Sequence, residues 1–221
     1  MHSTPRIVSD VMTHTVAAVG RGAGFKEIVR LLEQWKVSAL PVLEGEGRVV
    51  GVVSQADLLP KEEFRDSDSD RPVGFGRLAD LVKARAVTAG QLMTSPAVTV
   101  HADATLAAAA RTMAHARVKR LPVVDDHGML QGIVSRADLL KVFLRDDEDI
   151  AEEVRDEVVS YLFPAPLAPV HVTVHDGVVR VTGRVRDIAL IPVAVRMVRA
   201  VEGVVDVECD LTGPQRTPEA Y

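Results

Sequence analysis

Gly51-Val52-Val53-Ser54-Gln55-Ala56-Asp57-Leu58-Leu59-Pro60 returns 81 residues later as Gly132-Ile133-Val134-Ser135-Arg136-Ala137-Asp138-Leu139-Leu140-Lys141. The same offset carries Met12-Thr13 onto Met93-Thr94, Val37 onto Val118, Leu40-Pro41-Val42 onto Leu121-Pro122-Val123, and Gly47 onto Gly128. A whole unit is therefore duplicated without a gap, and a fixed period of this kind decides the architecture before any single residue does.

Each copy runs glycine, two β-branched residues, serine, two residues, aspartate and a leucine pair, the pattern of a strand running into a helix. Serine stands where the strand ends. Its side chain can cap the helix, whose first N–H groups and positive end favour an anion such as phosphate. The aspartate three residues on offers two acceptor oxygens, suited to a pair of vicinal ribose hydroxyls. Ser-x-x-Asp also reads as a plain capping box that satisfies the helix start and binds nothing, and capping is compatible with binding.

In order and spacing, Asp10-Val11-Met12-Thr13 and Gln91-Leu92-Met93-Thr94, the two Leu-Pro-Val segments and the two Gly-x-Val-Ser-x-x-Asp-Leu endings resemble a tandem pair of CBS domains. These are regulatory modules of the cystathionine-beta-synthase type, and a pair of them is a Bateman module. The resemblance covers roughly residues 7 to 145. It implies an adenine nucleotide of the AMP, ADP or ATP class as a regulatory ligand, without a covalent cofactor. It places Asp57 and Asp138 on ribose hydroxyls, Ser54 and Ser135 on phosphate, and the main chain around Leu40-Pro41 and Leu121-Pro122 against the base. By the offset, Lys119, Arg120 and Arg136 correspond to Ser38, Ala39 and Gln55, so cations able to meet phosphate come mainly from the second copy. The two sites are therefore expected to be unequal. CBS pairs typically associate, which implies a homodimer with an isologous, largely apolar interface.

Composition narrows the class. The chain has 221 residues, 47% of them hydrophobic, as in ordinary globular domains. Its apolar runs fall short of the ~18 residues a spanning helix needs, and Met1-His2-Ser3-Thr4-Pro5 starts no signal peptide. Cys209 is the only cysteine, which excludes an intrachain disulfide and a thiolate zinc cluster. A reducing, cytoplasmic location is expected. The net charge of −5 disfavours nucleic acid, although Arg117, Lys119 and Arg120 form a local basic run.

The first repeat is expected over 7–60 and the second over 87–145, each a helix, strand, turn, strand and helix. Phe25, Ile28, Val29, Leu32 and Trp35 recur at helical steps, and the counterpart helix, Leu106 to Ala116, is mostly alanine. Gly20-Arg21-Gly22-Ala23-Gly24 lacks the Lys-Ser/Thr ending of a phosphate loop and reads as an approach to the helix. Residues 61–86 link the repeats through a polar loop to about 76 and a helix from Arg77 to Ala86, after which Thr88 and Gln91 form a capping box.

Beyond Leu144 the pattern changes. Arg145-Asp146-Asp147-Glu148-Asp149 reads as an acidic helix start, and Ile150, Val154, Val158 and Leu162 give that helix an apolar face that Pro164, Pro166 and Pro169 end. Alternating Val170, Val172 and Val174, the Asp176-Gly177 turn, and Val179 and Val181 predict a hairpin. A second helix from Asp187, with Pro192 interrupting its start, and a third strand through Val205, Val207, Cys209 and Leu211 follow. Over 149–212 this order resembles a BON domain, carried by Asp176-Gly177-Val178-Val179-Arg180-Val181-Thr182-Gly183 and Val201-Glu202-Gly203-Val204-Val205-Asp206-Val207; 213–221 reads as a flexible tail. The resemblance implies contact with phospholipid or a protein partner. The expected fold class is thus α/β (α+β), two tandem CBS repeats and a small α-β-β-α-β domain.

No catalytic residues and no metal site are expected. His171 and His175 lie across a strand and a turn, where four-residue spacing does not converge two rings on one ion. Ser54 and Ser135 have no histidine at motif spacing. Two classes of function remain, a ligand-sensing regulator and a structural or membrane-contact adaptor.

Overall fold

The computed structural model describes residues 6–63, 78–164 and 170–213, which divide into two compact units, one ending at Arg136 and the other beginning at Ala137. Most of the expected interrepeat loop, Pro166, Pro169 and the tail beyond Gly213 lie outside the described residues.

The first unit holds α1 (Val8–Val11), β1 (Val19–Gly20), α2 (Phe25–Gln34), β2 (Ala39–Glu44), β3 (Arg48–Ser54), α3 (Gln55–Leu58) and α4 (Pro60–Glu63). Then come α5 (Leu78–Arg85), α6 (Ala89–Leu92), β4 (Val100–His101), α7 (Leu106–His115), β5 (Arg120–Val124) and β6 (Leu130–Ser135). Residues 61–63 are therefore helical rather than loop, because Pro60 occupies a helix start, where a missing N–H costs nothing. The duplication survives in three dimensions. Each copy forms a three-stranded sheet, β1-β2-β3 or β4-β5-β6, whose first pair is parallel and second antiparallel. Leu40 faces Val53 across one ladder and Leu121 faces Val134 across the other.

Ile28, Leu40, Val42 and Val53 are wholly buried around the first sheet, together with Leu92 from the opening of the second copy. Val29 and Trp35, expected on the buried face of α2, are 42% and 46% exposed. Val29 lies about 100° around the helix from Ile28, so the stripe through Ile28 and Leu32 leaves it outside. Trp35 is the C-cap, beyond the last turn.

The copies exchange their opening segments. Thr94 of the second pairs with Val52 of the first, its N–H donating at 2.9 Å and its carbonyl accepting at 3.1 Å, and Thr13 pairs with Ile133 at 2.9 and 3.0 Å. Met93 thereby lies against Gly51 and Met12 against Gly132, where a Cβ would collide with the methionine sulfur. Only glycine admits this approach.

The second unit begins within α8 (Arg136–Leu140) and continues through a 3₁₀ turn (Lys141–Leu144) into α9 (Asp147–Glu153). A π-helical turn, Val154–Val159, separates α9 from α10 (Ser160–Leu162), so the expected single helix has a register change at its centre. β7 (Val170–His175), β8 (Val178–Arg184) and β9 (Asp206–Thr212) form one sheet, antiparallel between β7 and β8 and parallel between β8 and β9. Asp176 and Gly177 both adopt positive φ, 49° and 73°, as a two-residue hairpin with right-twisted strands requires. The helix expected from Asp187 starts later. A 3₁₀ turn, Ile188–Leu190, precedes α11 (Ile191–Ala200), and Pro192 falls in the first turn of α11, so it opens that helix rather than kinking it. Ile150, Val154, Val158, Val179 and Val198 centre the core.

Arg145 ties the chain entering this unit to its far end. It pairs with Glu153 at 2.8 Å and donates to the carbonyl of Glu202 at 2.8 Å, with both side chains largely buried. Next to it Gly203, at φ 92°, lies against the Val142 carbonyl and Ile150. Among the described residues no helix is long and apolar enough to cross a membrane.

Candidate functional site

β3 ends at Ser54, and the chain turns at once into α3, which sets Asp57 one turn beyond the strand end. Asp57 is the one polar residue among the described residues that is buried, at 9% exposure. Its Oδ2 accepts the main-chain N–H of Ser54 at 2.8 Å and the Ser54 hydroxyl at 2.7 Å. Its Oδ1 receives the ammonium of Lys83 from α5. The serine hydroxyl is thus spent on the carboxylate rather than on the helix. At four residues α3 is also too short to build the dipole expected to hold an anion, and at five residues α8 is little longer.

The second copy repeats the local frame. β6 ends at Ser135, and Asp138 lies in the first turn of α8, paired at 2.9 Å with Lys141 on the next turn. The main-chain N–H of Gln55 donates to the carbonyl of Ser38 at 3.0 Å, and that of Arg136 donates to Lys119 at 3.1 Å, the same bond at the offset of 81.

The cations of the second copy have distinct surroundings. Arg120 lies opposite Ser135 in the β5–β6 ladder and donates to the hydroxyl of Ser38, whose neighbour Ala39 lies opposite Ser54 in the β2–β3 ladder. It therefore links the strand ends of both copies. Arg136 donates to the carbonyl of Val118 through Nε and a terminal nitrogen at 3.2 and 3.0 Å, and Lys119 is exposed. Leu40 and Leu121 are wholly buried, and Pro41 and Pro122 lie buried beside them, opposite Val52 and Ile133. Their side chains are core.

Sequence reasoning missed Lys83. It lies 26 residues from Asp57, in a connecting helix with no counterpart in the repeat, so neither motif spacing nor the duplication signals it. A cavity of about 410 Å³ opens elsewhere in the first unit, near Arg21, Val50, Met93, Ser95 and Thr99, away from Ser54 and Asp57. In the second unit Asp147, His175 and Asp176 cluster, but Asp147 accepts the main-chain N–H groups of Asp176 and Gly177 at 2.8 and 2.9 Å, which explains it as support for the hairpin.

The CBS-domain family profile matches residues 8–61 and 89–145, and the BON-domain profile matches 146–213. The chain belongs to the CBS-domain family, with two CBS domains followed by a BON domain. An uncharacterized protein of Methanocaldococcus jannaschii is 29% identical over 154 residues, 62% of this chain and 91% of that protein. The chloroplastic CBS domain-containing protein CBSX2 of Arabidopsis thaliana is 32% identical over 152 residues, 62% of this chain and 63% of that protein, somewhat under two thirds of its length. A crystal structure of CBSX2 in complex with AMP superposes with a TM-score of 0.55 at 32% identity, covering 62% of this chain and 96% of the crystallised one.

Proposed function

We propose that this protein is a non-enzymatic sensor whose CBS repeats bind an adenine nucleotide of the AMP, ADP or ATP class, with the BON domain as its output or docking element. One observation carries the reading: the buried carboxylate of Asp57, held beside the Ser54 hydroxyl at the end of β3. A carboxylate of this kind accepts a diol, and the Ser54 hydroxyl, which donates to Oδ2 in the free chain, turns to phosphate when a ligand enters. The AMP complex of CBSX2 supports the same chemistry on a similar fold. Arg120, between the two strand ends, supplies a cation for phosphate. Calorimetry on the full chain with AMP, ADP and ATP tests the proposal. Saturable heat is expected, and no heat with any of them at millimolar concentration would leave the adaptor reading.

The output role of the BON domain is supported by Asp138. It lies on α8, in the same compact unit as the BON fold, and the chain leaving α8 is held there by Arg145 and Gly203. A ligand that prefers one arrangement of Asp138 would bias that unit. Hydrogen exchange over 147–212, with and without saturating AMP, is expected to show changed protection; unchanged protection would make the domains independent. Self-association is supported by Leu140, Phe143 and Leu144, exposed at 61%, 50% and 81%. Light scattering is expected to return about twice the chain mass of 23.9 kDa.

A further inference from the structure

Lys83 belongs to no motif of the duplicated unit. The offset of 81 would place its counterpart at Pro164, outside the second copy, so whatever Lys83 does is done to the first site alone. Its ammonium pairs with Asp57, and the side chains are only 24% and 11% exposed. The helix that carries it is also held by Lys61, which donates to the Ala84 carbonyl at 2.9 Å and lies over the Phe25 ring at 5.2 Å. With Oδ2 of Asp57 accepting both donors of Ser54 and Oδ1 taken by Lys83, both carboxylate oxygens are engaged by the chain itself. The pair in the second copy is of another kind. Lys141 is three residues from Asp138 and 60% exposed, so although the Asp138 side chain is itself only 15% exposed, the ammonium of this local pair can pass to water at little cost.

We infer that Lys83 selects the charge of the ligand at the first site: it competes with a ribose diol for Asp57 and yields to a ligand that brings its own anionic group. The inference rests on the nucleotide reading above. A neutral nucleoside that takes Oδ1 leaves behind a largely buried ammonium without a partner, which is costly. A nucleotide replaces what it removes, because its phosphate beside Ser54 accepts charge-assisted hydrogen bonds from the displaced ammonium. The four-carbon stem of lysine permits that swing without movement of α5. The first site therefore favours AMP over adenosine, and Lys83 rather than the duplicated motif sets the difference.

The test is calorimetric titration of the full chain with AMP and with adenosine, in an Asp138→Ala background so that the heat reports the first site. With Lys83 present, AMP is expected to bind at least about tenfold more tightly than adenosine, the scale of one charge-assisted hydrogen bond. In Lys83→Met, adenosine gains affinity, AMP loses it, and the ratio falls toward one. Lys83→Gln serves should methionine unfold α5, and Lys83→Arg is expected to keep the ratio. A ratio unchanged in both neutral variants overturns the inference and leaves the nucleotide reading standing. AMP binding to the parent chain but not to the Asp138→Ala chain overturns it too, since the first site is then no site. If the parent chain binds neither compound, both proposals fall.

Discussion

The thioether of Met93 rests on the bare Cα of Gly51, in the place a Cβ would otherwise occupy. The two residues belong to different copies of the repeat, and the contact recurs as Met12 on Gly132. Beside each methionine a threonine forms two main-chain hydrogen bonds to the facing strand of the other copy. The repeated glycine and the repeated Met-Thr are thus two halves of one interlock, and Leu92, beside Met93, completes the core around the first sheet.

Gly51→Ala is expected to destabilise the first unit by about 1–3 kcal/mol, the cost of overpacking a closed site, since the backbone carbonyl of Thr94 also lies 3.0 Å from the added carbon. Gly132→Ala should behave alike. Gly22→Ala is the control: it meets nothing within 4 Å, and its gain of about 0.4–1 kcal/mol would come from the unfolded chain. Urea denaturation midpoints check the contrast, and equal midpoints for Gly51→Ala and the parent would contradict the interlock.

Asp57→Asn removes the counter-charge of Lys83 while preserving shape. The loss should exceed the ~0.5–2 kcal/mol of a helix cap alone, because an ammonium only 24% exposed is left without its partner. Adding Lys83→Met should recover part of that loss. A double-mutant cycle is expected to give a coupling of about 0.5–3 kcal/mol, and additive losses would show that the pair contributes nothing.

Arg145 is expected to be the most costly single truncation in the second unit. Arg145→Ala strands a Glu153 side chain that is 13% exposed and frees the Glu202 carbonyl, a loss of about 3–5 kcal/mol by analogy with other broken buried pairs. Arg145→Lys should rescue little, since one ammonium does not span both acceptors with the geometry of a guanidinium. Hydrogen exchange in α9 and α11 is the readout, and protection equal to that of the parent would refute the role.

Asp125 gives a pH signature at the β5–β6 turn. The main-chain N–H of Met129, and then that of His127, donate to its carboxylate at 2.9 Å and hold its pKa below the ordinary carboxylate value. Because the folded pKa is depressed, the stabilisation is present above the unfolded pKa of about 3.9 and is lost as pH falls through the folded value. A carboxyl NMR titration should place its midpoint below that of an unfolded peptide. Asp125→Asn should flatten the acid limb of stability, and an unchanged limb would remove Asp125 from the account.

The duplication, the strand-to-helix endings and the BON-like tail were all legible in the sequence, because each rests on local periodicity or on residues a few positions apart. The strands at Leu40 and Leu121, the capping box of Thr88 and Gln91, and the Asp176-Gly177 hairpin fall where the pattern puts them. Pattern and structure part where the surroundings of a residue outweigh its spacing. Val29 falls beside the buried stripe of Ile28 and Leu32, Trp35 caps the helix beyond its last turn, and a π turn interrupts an otherwise regular apolar face between α9 and α10.

By itself, then, the sequence determined the family, the Asp176-Gly177 hairpin and the identity of the serine and aspartate at each strand end, since these depend on spacings the chain carries along its length. Only the tertiary structure decided which partners those residues meet. Lys83 reaches Asp57 across 26 residues, Arg120 reaches Ser38 across 82, and Arg145 reaches Glu202 across 57. Contacts of that range leave no periodic trace, because a lysine or arginine on a helix or strand reads the same whether water or a buried carboxylate receives its charge.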